Sequence, residues 1–514
     1  FDRLGADPWP RFVVLKVLRQ YHEATGDEDA LDAMLGFCAY MHEGGFEEAP
    51  LQDWARYRWQ EFALTVQWLY DRTGEEWLLA VADRAARQGA DWVEHFAGGP
   101  RPVDFDYEGA TPPEERSFDT HVVNNAMAVK TPGVVYRRSG SEADRSAAGV
   151  TLDTLDTFHG QATGLFAGDE HLAGHDPTRG TELCAVVEYM YSLEQLVATL
   201  GEVRYADRLE RLAYNALPAQ FTPDMSAHQY DQQANQVLCN VAERPWSNGD
   251  DANTFGLEPS YGCCTANLHQ GWPKFATHAW MAADDGLAAV AYAPGTVETT
   301  VDGQPVRVVT ETAYPFADTV EMTVETDGQF ALHLRIPGWC SDATVDLPDA
   351  TVTPESGQFY RVEREWRDGD TVTLDLASPL RAERRYQGAV SLSRGPLVFS
   401  LPVDAEFQQY GGEPPFCDWE LYPTEPWNYG LAVDTVDPEA TLARTGPGET
   451  PFAPEDPPVE VTVEGARVPG WTLEDNDAGP IPASPVDGGA RETLTLIPYG
   501  CTNLRVTEFP LLND

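Results

Sequence analysis

The chain has 514 residues, 42% hydrophobic and 11% aromatic, which is enough for several buried cores and too apolar for a disordered polymer. Its 83 acidic residues against 34 basic ones give a net charge of −49, which excludes nucleic acid and anionic membranes as natural partners. No apolar run approaches the roughly 20 residues that cross a bilayer. The only lysines are Lys16, Lys130 and Lys274, and the remaining cations are arginines. So many carboxylates repel one another at low salt and are screened at molar salt, so the expected milieu is halophilic. A G+C-rich genome would explain the missing lysine but not the excess acid.

The chain begins at Phe1, with no basic or apolar leader pattern, so either processing or missing upstream sequence is expected. Apolar residues recur at helical spacing in Phe12–Leu18 and Ala30–Met41, and again over 54–70, 77–96, 122–136, 147–158, 182–200 and 206–217. Gly26, Gly74, Gly140 and Gly201 close successive helices, each followed at once or one position later by an acidic residue. Glycine suits a left-handed C-cap, and an acid suits the next helix N-terminus. The intervals of 48, 66 and 61 residues each fit one helical hairpin with its loop. Stacked hairpins form an open solenoid or close into an (α/α)6 toroid. The aromatic-rich segment Trp54-Ala55-Arg56-Tyr57-Arg58-Trp59 favours a toroid lined for sugar, with an aromatic core stripe as the alternative.

After Ala283 the pattern changes to short alternating runs with Asp-Gly turns at 302–303, 327–328 and 368–369, which read as hairpins. The expected fold class is therefore multidomain α plus β. A toroid catalytic domain over 1–283 precedes a β-sandwich over 284–400. Residues 401–514 form a second β-rich region, with long Pro/Gly-rich loops and few strands over 401–490.

Eight cysteines in such a chain are too sparse for a disulfide scaffold. Cys263 and Cys264 are adjacent, and a disulfide between neighbours is strained. Two adjacent thiols facing one cavity suit a soft metal. Glu182 and Cys184 add a carboxylate and a third thiol, completing a tetrahedral Cys₃Glu set for Zn²⁺. Cys184 also begins a helix, where thiol pKa values fall. Such a site needs reduced thiols, which favours a cytoplasmic location. Cys38, Cys239, Cys340, Cys417 and Cys501 stand alone and read as core. The loop Gly168-Asp169-Glu170-His171 carries paired carboxylates, which suit glycoside hydrolysis or, alternatively, an exposed acidic loop.

Gly180-Thr181-Glu182-Leu183-Cys184, Asp207–Asn215 and Tyr261-Gly262-Cys263-Cys264-Thr265-Ala266-Asn267 together resemble glycoside hydrolase family 127, the bacterial β-L-arabinofuranosidases. The resemblance covers most of the chain but not the family's N-terminal β-strand segment. It implies zinc held by Glu182, Cys184, Cys263 and Cys264, with Cys263 as nucleophile and Glu170 as acid/base (Asp169 the alternative). It further implies sugar contacts at His121, Glu210 and Tyr230. The expected activity is a zinc-dependent retaining hydrolase of β-linked L-arabinofuranosides or related sugars, with a carbohydrate as partner and homo-oligomerisation left open. The rival readings are a carbohydrate-binding protein with a structural zinc, and a metal-independent lyase or uronide hydrolase on the same toroid.

Overall fold

The computed structural model describes residues 7–99, 117–436, 438, 440–444 and 446–513. These form two compact units, one from described residues 7–99 and 117–158, the other from residue 159 onward.

The first unit is helical. Its main helices are Trp9–Thr25, Glu28–Tyr40, Trp59–Thr73, Trp77–Gln88, Trp92–Gly98, Val122–Ala128, Thr131–Ser139 and Glu142–His159. The expected glycine stops hold. Gly26, Gly74 and Gly140 take φ of 70°, 70° and 61°, and each N–H bonds the carbonyl four residues back. That left-handed turn costs glycine nothing and satisfies a helix-end carbonyl. Two helices read as continuous are broken in the fold. The 77–96 stretch breaks at Gly89, where the Trp59 ring fills the place a Cβ would occupy and Trp59 Nε1 donates to the Ala90 carbonyl at 3.0 Å. The 122–136 stretch restarts at Thr131 with a proline in its first turn. The unit's core holds Glu61, which pairs with the fully buried Lys130 and, at 3.3 Å, with Lys16.

The second unit opens with a small sheet of Ala167–Gly168, Leu172–Gly174, Thr181–Glu182 and Asp231–Gln232. The helix Leu183–Leu200 follows, buried on nearly every side, and is stopped by Gly201 at φ 65°. Helices Cys263–Leu268 and Gly271–Thr277 pack against it. Val203–Arg211 continues into a π-helical turn at Leu212–Ala216.

Two sheets follow. One orders strands 358–366, 328–336, 286–289 and 280–283; the other 350–352, 343–347, 370–376, 319–324, 304–312 and 295–301. Asp302-Gly303 makes the expected hairpin turn, both residues at positive φ. Asp327-Gly328 and Asp368-Gly369 do not, because the strands they join lie in different sheets. These two crossovers run side by side, with Asp368 N donating to Asp327 Oδ1 at 3.0 Å. An Asp-Gly pair permits a reversal, but burial of the alternating apolar faces selects the strand's partner.

The third β layer corrects the expectation for 401–490. Val459–Arg467 is an inner strand, pairing with Arg491–Pro498 on one side and with Tyr429–Leu431 and Thr441–Arg444 on the other. Its Val459, Val461 and Val463 are buried in strict alternation. Proline-rich flanks mask that alternation in the sequence. Ala405–Glu413 and Phe416–Pro423 form a separate two-stranded ribbon. Among the described residues no helix is long and apolar enough to cross a membrane.

Candidate active site

The short strand Thr181–Glu182 and the first turn of Leu183–Leu200 put Glu182 and Cys184 side by side. Glu182 pairs in register with Asp231, and Leu183 N–H donates to the Tyr230 carbonyl at 2.9 Å, which carries Tyr230 to the same place. Eighty residues on, the helix Cys263–Leu268 brings its first two residues against them. The ligand atoms of Glu182, Cys184, Cys263 and Cys264 all lie within 4.8 Å of one another. Cys184 Sγ and Cys264 Sγ are 3.4 Å apart, and Cys263 Sγ lies 3.8 Å from Glu182 Oε1 and 3.7 Å from Tyr230 Oη. None of the cysteines forms a disulfide.

The chemistry of this donor set calls for a cation. Glu182, Cys184 and Cys264 are buried, and Glu182 Oε2 has no hydrogen-bond partner. Burial drives the Glu182 carboxyl well above its usual range, helped by the negative charges of Glu170 and Cys263. Burial likewise raises the Cys184 and Cys264 thiols. Cys263 moves the opposite way. Hydrogen bonds from Cys184 and Cys264 hold it at about 3, against the opposing effect of its partial burial. Three sulfurs and a carboxylate at this spacing fit a tetrahedral divalent metal of borderline softness.

Around this cluster Glu170 accepts a hydrogen bond from Tyr230 Oη at 2.9 Å, so Tyr230 lies between Glu170 and the Cys263 sulfur. The neighbouring Asp169 is 3% exposed and committed to Ser247, accepting from its backbone N–H and, at 2.9 Å, from its hydroxyl. Of the two adjacent acids, only Glu170 faces Tyr230.

Two of the sequence-derived contacts have partners of their own. His121 belongs to the first unit, where its Nδ1 caps Val122–Ala128 by accepting from Val123 N and Asn124 N, and its ring meets Trp54 edge-on at 5.1 Å. Glu210 is fully buried; it accepts from Tyr314 Oη and from Tyr292 N at 2.8 Å, and pairs with Arg335. Its helix packs against the β layers, so the carboxylate faces a buried arginine and has no surface for a sugar hydroxyl. Sequence reading missed Asp231, a fully buried carboxylate whose pKa is raised by burial and by Asp169, Glu182 and Glu170. It also gave no role to Asn267, which donates to Cys184 Sγ at 3.0 Å. Strand pairing places the first, and helix packing the second.

The profile of the β-L-arabinofuranosidase GH127 catalytic domain matches residues 13–277, and that of the GH127 middle domain matches 286–378. A comparison with curated proteins finds no match. Among solved structures, a GH127 β-L-arabinofuranosidase from Geobacillus stearothermophilus T6 aligns with a TM-score of 0.67 at 22% identity, covering 98% of this chain and 79% of that one. A protein described as a glycoside hydrolase gives 0.69 at 17% identity, over 96% and 81%. A further GH127 β-arabinofuranosidase gives 0.57 at 15% identity, over 99% and 89%. These structural likenesses bear on the fold, whereas the catalytic-domain profile alone spans more than half of the sequence. The chain belongs to the GH127 β-L-arabinofuranosidase family and is a glycoside hydrolase.

Proposed function

We propose that the protein is a zinc-dependent retaining glycosidase acting on β-linked L-arabinofuranosides, with Cys263 as nucleophile and Glu170 as acid/base. The observation that carries this reading is the line of groups Cys263–Tyr230–Glu170, beside three further donors suited to a metal. Glu182, Cys184, Cys263 and Cys264 would hold the zinc, which supplies positive charge that keeps the thiolates ionised.

Cys263 is the half-buried sulfur of the set and the one whose thiol is held low, so it offers a thiolate to the anomeric carbon. Glu170 passes its proton to the departing glycosidic oxygen as the C–O bond breaks and the C–S bond forms. The resulting carboxylate then takes a proton from water, which displaces the Cys263 sulfur. Two inversions at one carbon give net retention. Tyr230 orients Glu170 through its hydroxyl and limits the room beside the sulfur. Glu210 is not kept as a sugar contact, because its carboxylate is fully engaged in the interior.

The 1–283, 284–400 and 401–514 division, toroid closure, a cytoplasmic location and a high-salt milieu belong to the same proposal. The test is an aryl β-L-arabinofuranoside assay at molar NaCl. Hydrolysis should be lost on chelation and restored by zinc, with the β-anomer as first product. Activity unchanged after complete metal removal would favour the metal-independent alternative.

A further inference from the structure

We propose that Lys274, Gln270 and Asn267 form a one-way hydrogen-bond relay that delivers an N–H donor to the Cys184 sulfur and fixes that sulfur as the anchored ligand. The inference rests on the metal reading above. Lys274 Nζ donates to Gln270 Oε1 at 2.6 Å, Gln270 Nε2 donates to Asn267 Oδ1 at 2.9 Å, and Asn267 Nδ2 donates to Cys184 Sγ at 3.0 Å.

The direction is set by chemistry. An ammonium has donors only, so Gln270 must turn its oxygen toward Lys274 and its amino group toward Asn267. Asn267 must then accept with its oxygen and point its own amino group at the sulfur. Both amide orientations, ordinarily ambiguous, follow from the lysine. The relay ends on an acceptor, and a thiolate is the form of Cys184 that accepts best.

The relay is braced at both ends by one helix. Lys274 is 7% exposed and its ammonium lies 4.4 Å from the centre of the Tyr191 ring. Tyr191 stands two turns after Cys184 on Leu183–Leu200. Residues 267, 270 and 274 have the spacing of one helical face, and Cys263–Leu268 and Gly271–Thr277 both pack on that helix. Cys263, by contrast, meets oxygens of Glu182 and Tyr230 rather than an amide donor. The relay therefore separates a sulfur held from behind from one left to react. It also gives a use to one of the three lysines in the chain.

Asn267, Gln270 and Lys274 are positioning residues, so the readout is metal affinity rather than turnover. Metal-free full-length protein is titrated with zinc against a chromophoric chelator at molar NaCl. Gln270→Glu is nearly isosteric and keeps the partner of Lys274, but presents oxygen to Asn267 and turns the amide's oxygen toward Cys184. It should weaken zinc by about 10- to 100-fold, the range for groups that support metal ligands, with the metal-free unfolding midpoint unchanged. If that variant does not fold, Gln270→Met, which removes the brace on Asn267, should shift affinity in the same direction. Wild-type affinity in the folded Gln270 variant, with zinc lost in Cys184→Ser, overturns the relay alone. Zinc retained at wild-type affinity in Cys184→Ser overturns the metal reading and the relay with it.

Discussion

Cys263 and Glu170 each stand next to a residue of similar type, and these neighbours of like chemistry are separated by environment. Cys264 is buried and its thiol is driven up, while Cys263 is half-buried and held at about 3. Asp169 is engaged by Ser247, while Glu170 faces Tyr230. Cys263→Ser should therefore leave a folded protein whose kcat falls by about 10³-fold or more, measured with an aryl glycoside alongside circular dichroism. A serine hydroxyl at this position lacks the acidity of the thiol. Glu170→Gln should lower kcat by about 10²- to 10⁴-fold on an alkyl glycoside and far less on a nitrophenyl one, whose leaving group needs no proton. Equal losses on both substrates would remove Glu170 from the acid role.

Among the elements, Val203–Arg211 joins the second unit's helices to its β layers. Arg335 pairs with Asp207 and Glu210, and Arg211 meets Glu383 on the strand Leu380–Arg384 through two bonds of 2.8 Å. Burial alone would raise the Glu383 carboxyl, but the Arg211 guanidinium and the Ser393 hydroxyl hold it at about 2, below its ordinary 4.5. A depressed carboxylate stabilises the fold above the unfolded value and loses that contribution as pH falls from about 4.5 toward 2. Glu383→Gln should be less stable than the parent by about 1 kcal/mol at neutral pH, since the pair is partly exposed, and indistinguishable from it near pH 2. Urea unfolding at a series of pH values reads the difference; a gap that persists at the acid end contradicts the assignment. The resemblance placed Glu210 among sugar contacts because sequence shows residue type and neighbourhood but not which face of the helix is covered.

The whole molecule carries its −49 charge with three lysines, and none of them is a freely exposed surface cation. Lys16 and Lys130 meet Glu61, and Lys274 meets Gln270. Lysine remains where a compact ammonium makes a specific interior bond, while carboxylates crowd the exterior. The unfolding midpoint should rise with NaCl toward molar concentration, as screening removes self-repulsion. A midpoint that is flat or falling across that range would contradict a high-salt protein.

The helical first half, its glycine stops, the change to β structure near residue 283 and the identity of the Cys/Glu donor set are legible along the chain. Each is written in local periodicity, backbone preference or ligand chemistry. Tertiary structure alone decided which carboxylates remain available, that Asp231 joins the acidic cluster and that Asn267 reaches Cys184. It also decided that two Asp-Gly turns cross between sheets and that Val459–Arg467 runs inside one. These depend on pairing and burial between residues far apart in the chain, which no local pattern encodes.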